Sequence, residues 1–201
     1  VSHFQMRYPE MKVRYVKIHE EFQRIALSFP GIAFAFFNND KEIMRLTSTT
    51  SLKQRIVELF GKHIHDKLLT IEQDVNFIRI FGCIGKPEHS KKQKGEQFFF
   101  VNNRYIKHLQ LHYTVMDVYK ELIPNGQMPS YFIFFSIEPN TIDINIHPTK
   151  TEIKFRDEQM VRAVLKSTLR KALGVSNLMP SIDFNLENSI VLPSAYKDKI
   201  P

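Results

Sequence analysis

Residues 142–155, near the C-terminal end of the chain, constrain the fold more than any other stretch. The first five alternate between isoleucine and a polar residue, which is the period of a strand with one buried face. Pro148 has no backbone N–H and cannot continue the ladder, and it pushes His147 toward extended geometry. A second strand follows, up to Phe155. We therefore predict two strands and a sharp break that holds Lys150 at its tip.

The chemistry of this break depends on Lys150. A lysine ammonium held on a stiff loop suits the capture of a phosphate that comes from outside the domain. The same pattern also fits an ordinary hairpin whose lysine is only solvated. The residues alone leave both interpretations open.

Composition sets the limits for the rest of the chain. With 201 residues, 43% of them hydrophobic and 17 of them Phe, the chain can build a packed core, and this composition argues against general disorder. The formal charge of +7 favours a polyanionic partner only if the charge is clustered. Cys83 is the single cysteine, so an internal disulfide and a cysteine zinc site are excluded. We expect it to be a packing residue in a reduced, intracellular compartment.

Apolar periodicity and stop signals predict alternating helices and hairpins. Ser51 and Asp157 are the expected N-caps of two helices, and we expect Pro30-Gly31 to end the first one. The predicted helices lie around residues 18–29, 52–60, 111–122 and 160–169, and the predicted strands at 32–37, 42–47, two within 68–84 that join near 73–74, 97–102, 131–137 and two within 142–155.

This order of elements predicts an α+β fold, a mixed β-sheet with helices packed on one face. Residues 1–11 are an ill-defined start, residues 12–174 form one domain, and residues 175–201 have the composition of a linker or tail. No apolar run in the sequence reaches the length needed to span a membrane, and residues 1–5 lack the layout of a signal peptide.

Two groups of positive charge flank the strand at 97–102. We interpret residues 85–95 as a mobile basic loop. Cationic side chains at loop ends neutralise phosphates without reading bases, although a solvated surface fits the same pattern. The candidate DNA-binding residues are Lys86, Lys91, Lys92 and Lys94 before the strand, and Arg104 and Lys107, with His108 beside them, after it.

Signatures of catalysis are missing from the sequence. It contains neither Gly-x-Gly-x-x-Gly nor a phosphate loop, and only 7 glycines. The pairs His63/His65 and His108/His112 have no acidic residue that completes a metal triad. We therefore predict no metal site and no enzyme activity for this chain on its own.

Three motifs together carry a family resemblance. They are Gly-Cys-Ile-Gly-Lys-Pro at 82–87, Gln-Phe-Phe-Phe-Val-Asn-Asn-Arg at 97–104 and His-Pro-Thr-Lys at 147–150. In this order and spacing they resemble the MutL family of DNA mismatch-repair proteins, over residues 12–173. The resemblance is to the transducer domain, which in that family follows an ATPase domain of the type found in gyrase and histidine kinases. It implies a ribosomal-protein-like fold with a left-handed β-α-β crossover, an exception to the usual hand.

The resemblance also implies residue roles. Lys150 would reach the γ-phosphate of ATP bound in the preceding domain, and His147 and Pro148 would shape its loop. The resemblance covers the transducer domain alone, so that ATPase domain is expected to lie outside this chain. Arg104 would contact DNA. Asn103 stands where the family often has Gly, and Asn tolerates the same left-handed turn. The fragment itself would hold no cofactor, and ATP and Mg²⁺ would bind in the preceding domain.

The partners implied by the resemblance are DNA, the adjacent ATPase domain, a mismatch-recognition protein of the MutS type and, in the full-length protein, a second copy. The implied location is the cytoplasm, associated with a bacterial nucleoid, or otherwise intracellular, and no membrane partner is expected. Two alternatives share the fold. One is the transducer domain of a type IIB topoisomerase or gyrase B-like ATPase, and the other is a ribosomal-protein-like RNA-binding module.

Overall fold

A computed structural model describes residues 9–75, 77–93, 95–143 and 153–174, without the side chains of residues 9–13 and 143. Lys94, His147, Pro148 and Lys150 lie outside the described residues, as does the predicted linker or tail at 175–201.

The described chain contains four α-helices and nine strands. The helices are α1 (Pro9–Ser28), α2 (Leu52–Phe60), α3 (Leu109–Tyr119) and α4 (Glu158–Ala172). The strands are β1 (Phe34–Asn38), β2 (Lys41–Leu46), β3 (Leu68–Val75), β4 (Ile78–Gly85), β5 (Gln97–Val101), β6 (Arg104–Ile106), β7 (Tyr131–Ile137), β8 (Ile142–Asp143) and β9 (Lys154–Phe155).

The local signals act as predicted at several element ends. Ser51 accepts a hydrogen bond from the backbone of Gln54, and Asp157 from that of Met160, so both N-caps are confirmed. The β1–β2 hairpin turns through Asn39 and Asp40, whose φ angles are 48° and 59°. Such positive φ values at both turn positions match the twist of the flanking strands.

The main sheet has the order β3-β4-β7-β5-β6. β5 and β7 run parallel, and every other neighbouring pair is antiparallel. The predicted mixed sheet is therefore confirmed, with β7 at its centre. The chain leaves β5, passes through β6 and α3 and returns as β7, which is a β-α-β crossover. Its left hand stays a prediction.

Helices cover both faces of this sheet, so the predicted packing on one face only was wrong. α3 and α4 pack over a cluster that includes Ile80, Val101 and Ile133. α2 and the end of α1 pack over a second cluster that includes Phe100 and Phe132. The reason lies in the central strand, because residues 131–135 are all buried and alternate between the two clusters. A strand that is apolar at every position needs cover on both sides.

Some boundaries differ from the prediction. β3 and β4 pair as far as Val75 and Ile78, so their connection lies three residues later than predicted. The three-residue strand β6 was not predicted. The basic loop, predicted as mobile, contains a 3-10 turn at Pro87–His89. It also has a two-bond bridge between the backbones of Lys91 and Met128, with N···O distances of 3.0 and 2.8 Å.

Candidate nucleic-acid interface

The turn between β5 and β6 presents Arg104. Asn102 and Asn103 occupy its two central positions with φ angles of 48° and 63°, and Val101 pairs with Arg104 across it. This confirms that asparagine supplies the left-handed conformation at position 103, and it shows the same at position 102. Arg104 is exposed at the start of β6, where its guanidinium can meet a ligand at the end of the sheet.

Asn102 ties this turn to the end of β7. Its side-chain amide donates to the carbonyl oxygen of Ile137 at 2.9 Å, and its amide oxygen accepts the Ile137 N–H at 3.0 Å. Its backbone N–H donates to the carbonyl oxygen of Phe135 at 2.8 Å. The side chain thus continues the ladder as another strand residue would. This role was not predicted, and the only signal for it in the sequence is a second asparagine in the turn.

The chain that leads to the segment with His147, Pro148 and Lys150 leaves β7 at the same end of the sheet as the Arg104 turn. After β7 the chain forms a 3-10 turn at Pro139–Thr141 and enters β8. β8 pairs with β9, and the backbone N–H of Arg156 donates to the carbonyl oxygen of Thr141 at 2.8 Å. The described residues on either side of the segment are therefore held together by the β8–β9 pair. The chain leaves β7 at the end of the sheet that carries Arg104, but Ile153, where the described chain resumes, lies beside Gln97, Lys107 and Tyr131 at the other end.

The remaining basic residues lie at the opposite end. Because β6 runs antiparallel to β5, with Ile106 opposite Phe99, Lys107 returns toward the start of β5. Gly85 is bonded to Ser130 at the start of β7, so Lys86 and the basic loop also lie at this end. A five-residue strand is roughly 13 Å long from first to last Cα. Of the two groups of positive charge predicted to flank the strand, the second is therefore divided: Arg104 lies at one end of the sheet, and Lys107 lies at the other end with the first group.

Lys91 belongs to the structure of the loop. Its ammonium forms an ion pair with Glu96 at 3.0 Å, and the Ser130 hydroxyl donates to the same carboxylate at 2.9 Å. Burial raises the pKa of Glu96, but its own backbone N–H, Lys91 and Ser130 stabilise the anion more, so the pKa is below its ordinary value. Among the described residues, Lys92 and Lys107 are exposed and form no ion pair with a carboxylate, which leaves their charge for an outside anion.

The histidines and the cysteine have local structural contacts. His108 caps α3, with its Nδ1 3.4 Å from the Leu111 nitrogen, and His112 Nδ1 lies 3.0 Å from the Tyr131 hydroxyl. Cys83 is buried, as predicted, and burial raises its pKa to about 11. No group of three metal-ligating side chains occurs within the described parts of the chain.

A family model described as "DNA mismatch repair protein, C-terminal domain" matches residues 56–174, more than half of the chain. The chain belongs to the MutL family of DNA mismatch-repair proteins. MutL of Flavobacterium psychrophilum is 46% identical over 182 residues, which are 90% of this chain and 30% of that protein. MutL of Bacteroides fragilis is 44% identical over 181 residues, 90% of this chain and 29% of that protein.

Solved structures agree on the MutL fold. The N-terminal domain of a DNA repair protein has a TM-score of 0.66 at 22% identity, covering 86% of this chain and 60% of that one. The Aquifex aeolicus MutL ATPase domain with a K252N mutation has a TM-score of 0.53 at 16% identity, covering 79% and 52%. The resemblance to MutL found in the sequence is confirmed. The chain spans less than a third of the curated relatives' length.

The search for membrane-spanning helices gave a negative result. No helix in the part of the chain that the structure describes combines the length and the apolar character that crossing a membrane requires.

Proposed function

We propose that this chain is the transducer domain of a MutL-type protein. In this role it couples ATP binding and hydrolysis in a preceding ATPase domain to DNA binding and to signalling in the repair complex. The observation that carries the proposal is the tie formed by Asn102. Its two side-chain hydrogen bonds join the turn of Arg104 to the end of β7, from which the chain continues through β8 toward the Lys150 segment. A displacement of the end of β7 would therefore reach the Arg104 turn through these bonds.

In this mechanism the chain contributes binding and sensing, and it has no enzyme activity alone. Lys150 supplies a positive charge to the γ-phosphate of ATP that is held, with Mg²⁺, by the preceding domain. This contact favours the closed arrangement while the γ-phosphate is present, and it stabilises the charge that develops during hydrolysis. His147 and Pro148 shape the loop.

The surface of α1 and the β1–β2 hairpin supports a contact with the preceding domain. Monomeric proteins rarely leave many large apolar side chains exposed in one region. The relatives are more than three times as long as the matched segment, so most of their chain is available to cover such a surface. Large apolar side chains that are at least 41% exposed occur here at Val16, Ile18, Ile25, Phe29, Ile32, Phe37 and Ile43.

DNA is the proposed partner of the basic residues. Arg104 projects from a rigid turn, and guanidinium groups bind phosphate bidentately. Lys86, Lys92 and Lys107, with Lys94, would extend the phosphate contact at the other end of the sheet. The further partners proposed for the intact protein are a MutS-type mismatch-recognition protein and a second copy of the protein.

The first experiment concerns Lys150. In the longer protein that includes the ATPase domain, Lys150→Ala should lower ATP turnover by roughly a hundredfold, because one donor to the developing charge is removed. Lys154→Ala is the matched control, since Lys154 is an exposed lysine four residues further on in β9, and it should leave turnover unchanged. Unchanged turnover in Lys150→Ala would exclude this lysine from the mechanism.

The second experiment concerns Arg104. Arg104→Glu should weaken duplex DNA binding and lower the slope of log affinity against log salt by about 1 to 2, because phosphate contacts and their released counterions are lost. Arg45→Glu makes the same charge change on the β1–β2 hairpin, where Arg45 pairs with Glu42, and should leave the slope as it is. A wild-type slope in Arg104→Glu would mean that this arginine is only solvated.

A further inference from the structure

A groove of about 1050 Å³ lies between α3, α4 and the loop that follows α3. The two helices run side by side in the same direction. Nε of Arg162 donates to the Thr114 hydroxyl at 3.1 Å. One turn further along both helices, the Lys166 ammonium lies 2.6 Å from the Asp117 carboxylate. The groove therefore follows α4 toward the C-terminal end of both helices, where the loop at 123–127 also lines it.

The lining of this α3–α4 groove combines apolar surface with unpaired positive charge. Met116 and Ile123 are half-buried in it, and Tyr113 is 57% exposed. Lys120 and Arg162 also line the groove, and neither forms an ion pair with a carboxylate of the described residues. Both side chains can therefore meet an acidic group that enters the groove.

The acidic side chains of the lining already have basic neighbours. Asp117 pairs with Lys166 at 2.6 Å, and Glu158 lies 3.8 Å from Nε2 of His108. The charge left without a partner at the groove is therefore positive. An occupant that carries both apolar and acidic side chains would complement it.

The sequence beyond α4 has this chemistry. Residues 175–193 contain no Lys or Arg, and their two acidic residues are Asp183 and Glu187. Apolar residues alternate with polar ones here, at Ile182, Phe184 and Leu186. On an extended chain such alternation places the apolar side chains along one edge and the acidic ones along the other.

This segment is close enough to reach the groove. α4 ends at Ala172, about 9 Å along the helix axis from Lys166. Gly174 has a φ of 70°, the conformation in which a chain turns off the helix axis. Residues 175–181 then span up to about 23 Å. A tether this short keeps the segment at an effective concentration on the order of millimolar, so even a weak contact is populated.

We propose that residues 182–187 occupy the α3–α4 groove of their own chain. The segment runs back along α4, so that Asp183 meets Lys120 near the helix end and Glu187 meets Arg162 further from it. The apolar side chains between the two carboxylates lie on the floor of the groove. A partner protein that uses this face must displace the segment. The inference is independent of the proposed contacts with DNA and ATP.

Disulfide formation in the 201-residue chain tests the proposal. In the proposed arrangement Asn188 comes next to Gln159, which lines the groove, so the variant carries Gln159→Cys and Asn188→Cys. Its effective thiol concentration is measured in a buffer of reduced and oxidised glutathione, with the products identified by mass spectrometry. The native Cys83 is buried and does not compete.

Met160→Cys with Asn188→Cys is the matched control. Met160 is the next residue of α4, is 42% exposed and lies outside the groove lining, while the chain length between the two thiols is nearly the same. The effective concentration should be roughly tenfold higher for the Gln159 pair, because docking adds to the tether. Equal values for the two pairs would overturn the proposal, since a free tether treats both positions alike.

Charge reversal tests the predicted pairing of Asp183. Lys120→Glu should lower the effective concentration of the Gln159 pair by roughly threefold, and adding Asp183→Lys should restore it. Lys171→Glu, on an exposed lysine outside the groove lining, should have no effect. A loss that Asp183→Lys fails to reverse would contradict the arrangement. Disulfide-linked dimers whose share rises with protein concentration would also overturn it, because they would place the segment of a second copy in the groove.

Discussion

At the scale of single residues, two neighbouring asparagines with the same conformation have different roles. Asn102 and Asn103 both adopt the left-handed region. Only the side chain of Asn102 is bonded within the described chain, through both polar atoms of its amide. The turn therefore needs a residue that tolerates positive φ at both positions, but it needs an amide at only one.

This difference gives a prediction for a matched pair of glycine substitutions. Glycine adopts positive φ without strain, so Asn103→Gly should change the free energy of unfolding by less than about 0.5 kcal/mol. Asn102→Gly keeps the turn but loses two hydrogen bonds, and it should cost about 2 kcal/mol. Urea unfolding followed by circular dichroism measures both values. Equal stabilities of the two variants would mean that the Asn102 tie contributes nothing to stability.

The sequence predicts the left-handed conformation of this turn but not the hydrogen bonds of Asn102. Asparagine is one of the few residues that tolerates a left-handed turn, so the conformation at Asn103 followed from residue type. The hydrogen bonds of Asn102 depend on Ile137, which lies 35 residues away and becomes a neighbour only through the parallel pairing of β5 with β7. Lys107 likewise lies at the other end of the sheet from Arg104, and this position could be known only from the register in which β6 pairs with β5.

At the scale of elements, helix ends follow the chemistry of their caps. Residue types alone predicted the caps Ser51 and Asp157, but not His108. The latter side chain is 9% exposed, with Nε2 3.8 Å from Glu158 and its ring 5.3 Å from that of Phe155. Histidine serves as a cap only when neutral, because Nδ1 must accept the Leu111 N–H. Short elements such as β6 lack enough residues to show a period.

His108 should make stability depend on pH. Burial lowers its pKa below the ordinary value of 6.5, with Glu158 opposing this shift and Arg162 adding to it. Between the lowered pKa and 6.5 the unfolded chain binds a proton that the folded chain does not. The free energy of unfolding should therefore be at its full value above pH 6.5 and should fall as the pH drops from 6.5 toward the lowered pKa of His108.

The measurement is urea unfolding at about pH 7.5 and about pH 5.5, comparing the wild type with His108→Asn. Asparagine retains an oxygen that can cap the helix but does not titrate, so the variant should lose less stability than the wild type between these values. An identical loss in both proteins would assign the pH dependence to other groups.

At the scale of the whole molecule, a buried arginine joins the N-terminal elements to the rest. Arg55 in α2 is fully buried, and its Nη2 lies 2.6, 2.8 and 2.7 Å from the carbonyl oxygens of Pro30, Ile32 and Thr47. These carbonyls flank the β1–β2 hairpin. The sequence predicted each of these elements and the α+β class, but not this joint, because a charged residue is expected at the surface. It also did not predict cover on both sheet faces, which depends on where α1 and α2 pack.

The joint yields the prediction with the largest expected effect. Arg55→Met keeps the apolar stem but leaves three carbonyl oxygens without their donor, and it should lower the free energy of unfolding by about 3 kcal/mol. Because the lost bonds hold the hairpin to α2, α1 and the hairpin should unfold at a lower urea concentration than the main sheet, and two transitions should replace one. Hydrogen exchange would then show faster exchange in β1 and β2 than in β4 and β7.

Arg45→Met is the matched control on an exposed arginine and should change stability by less than about 0.5 kcal/mol. A single transition at the wild-type midpoint in Arg55→Met would show that packing alone holds the two parts together.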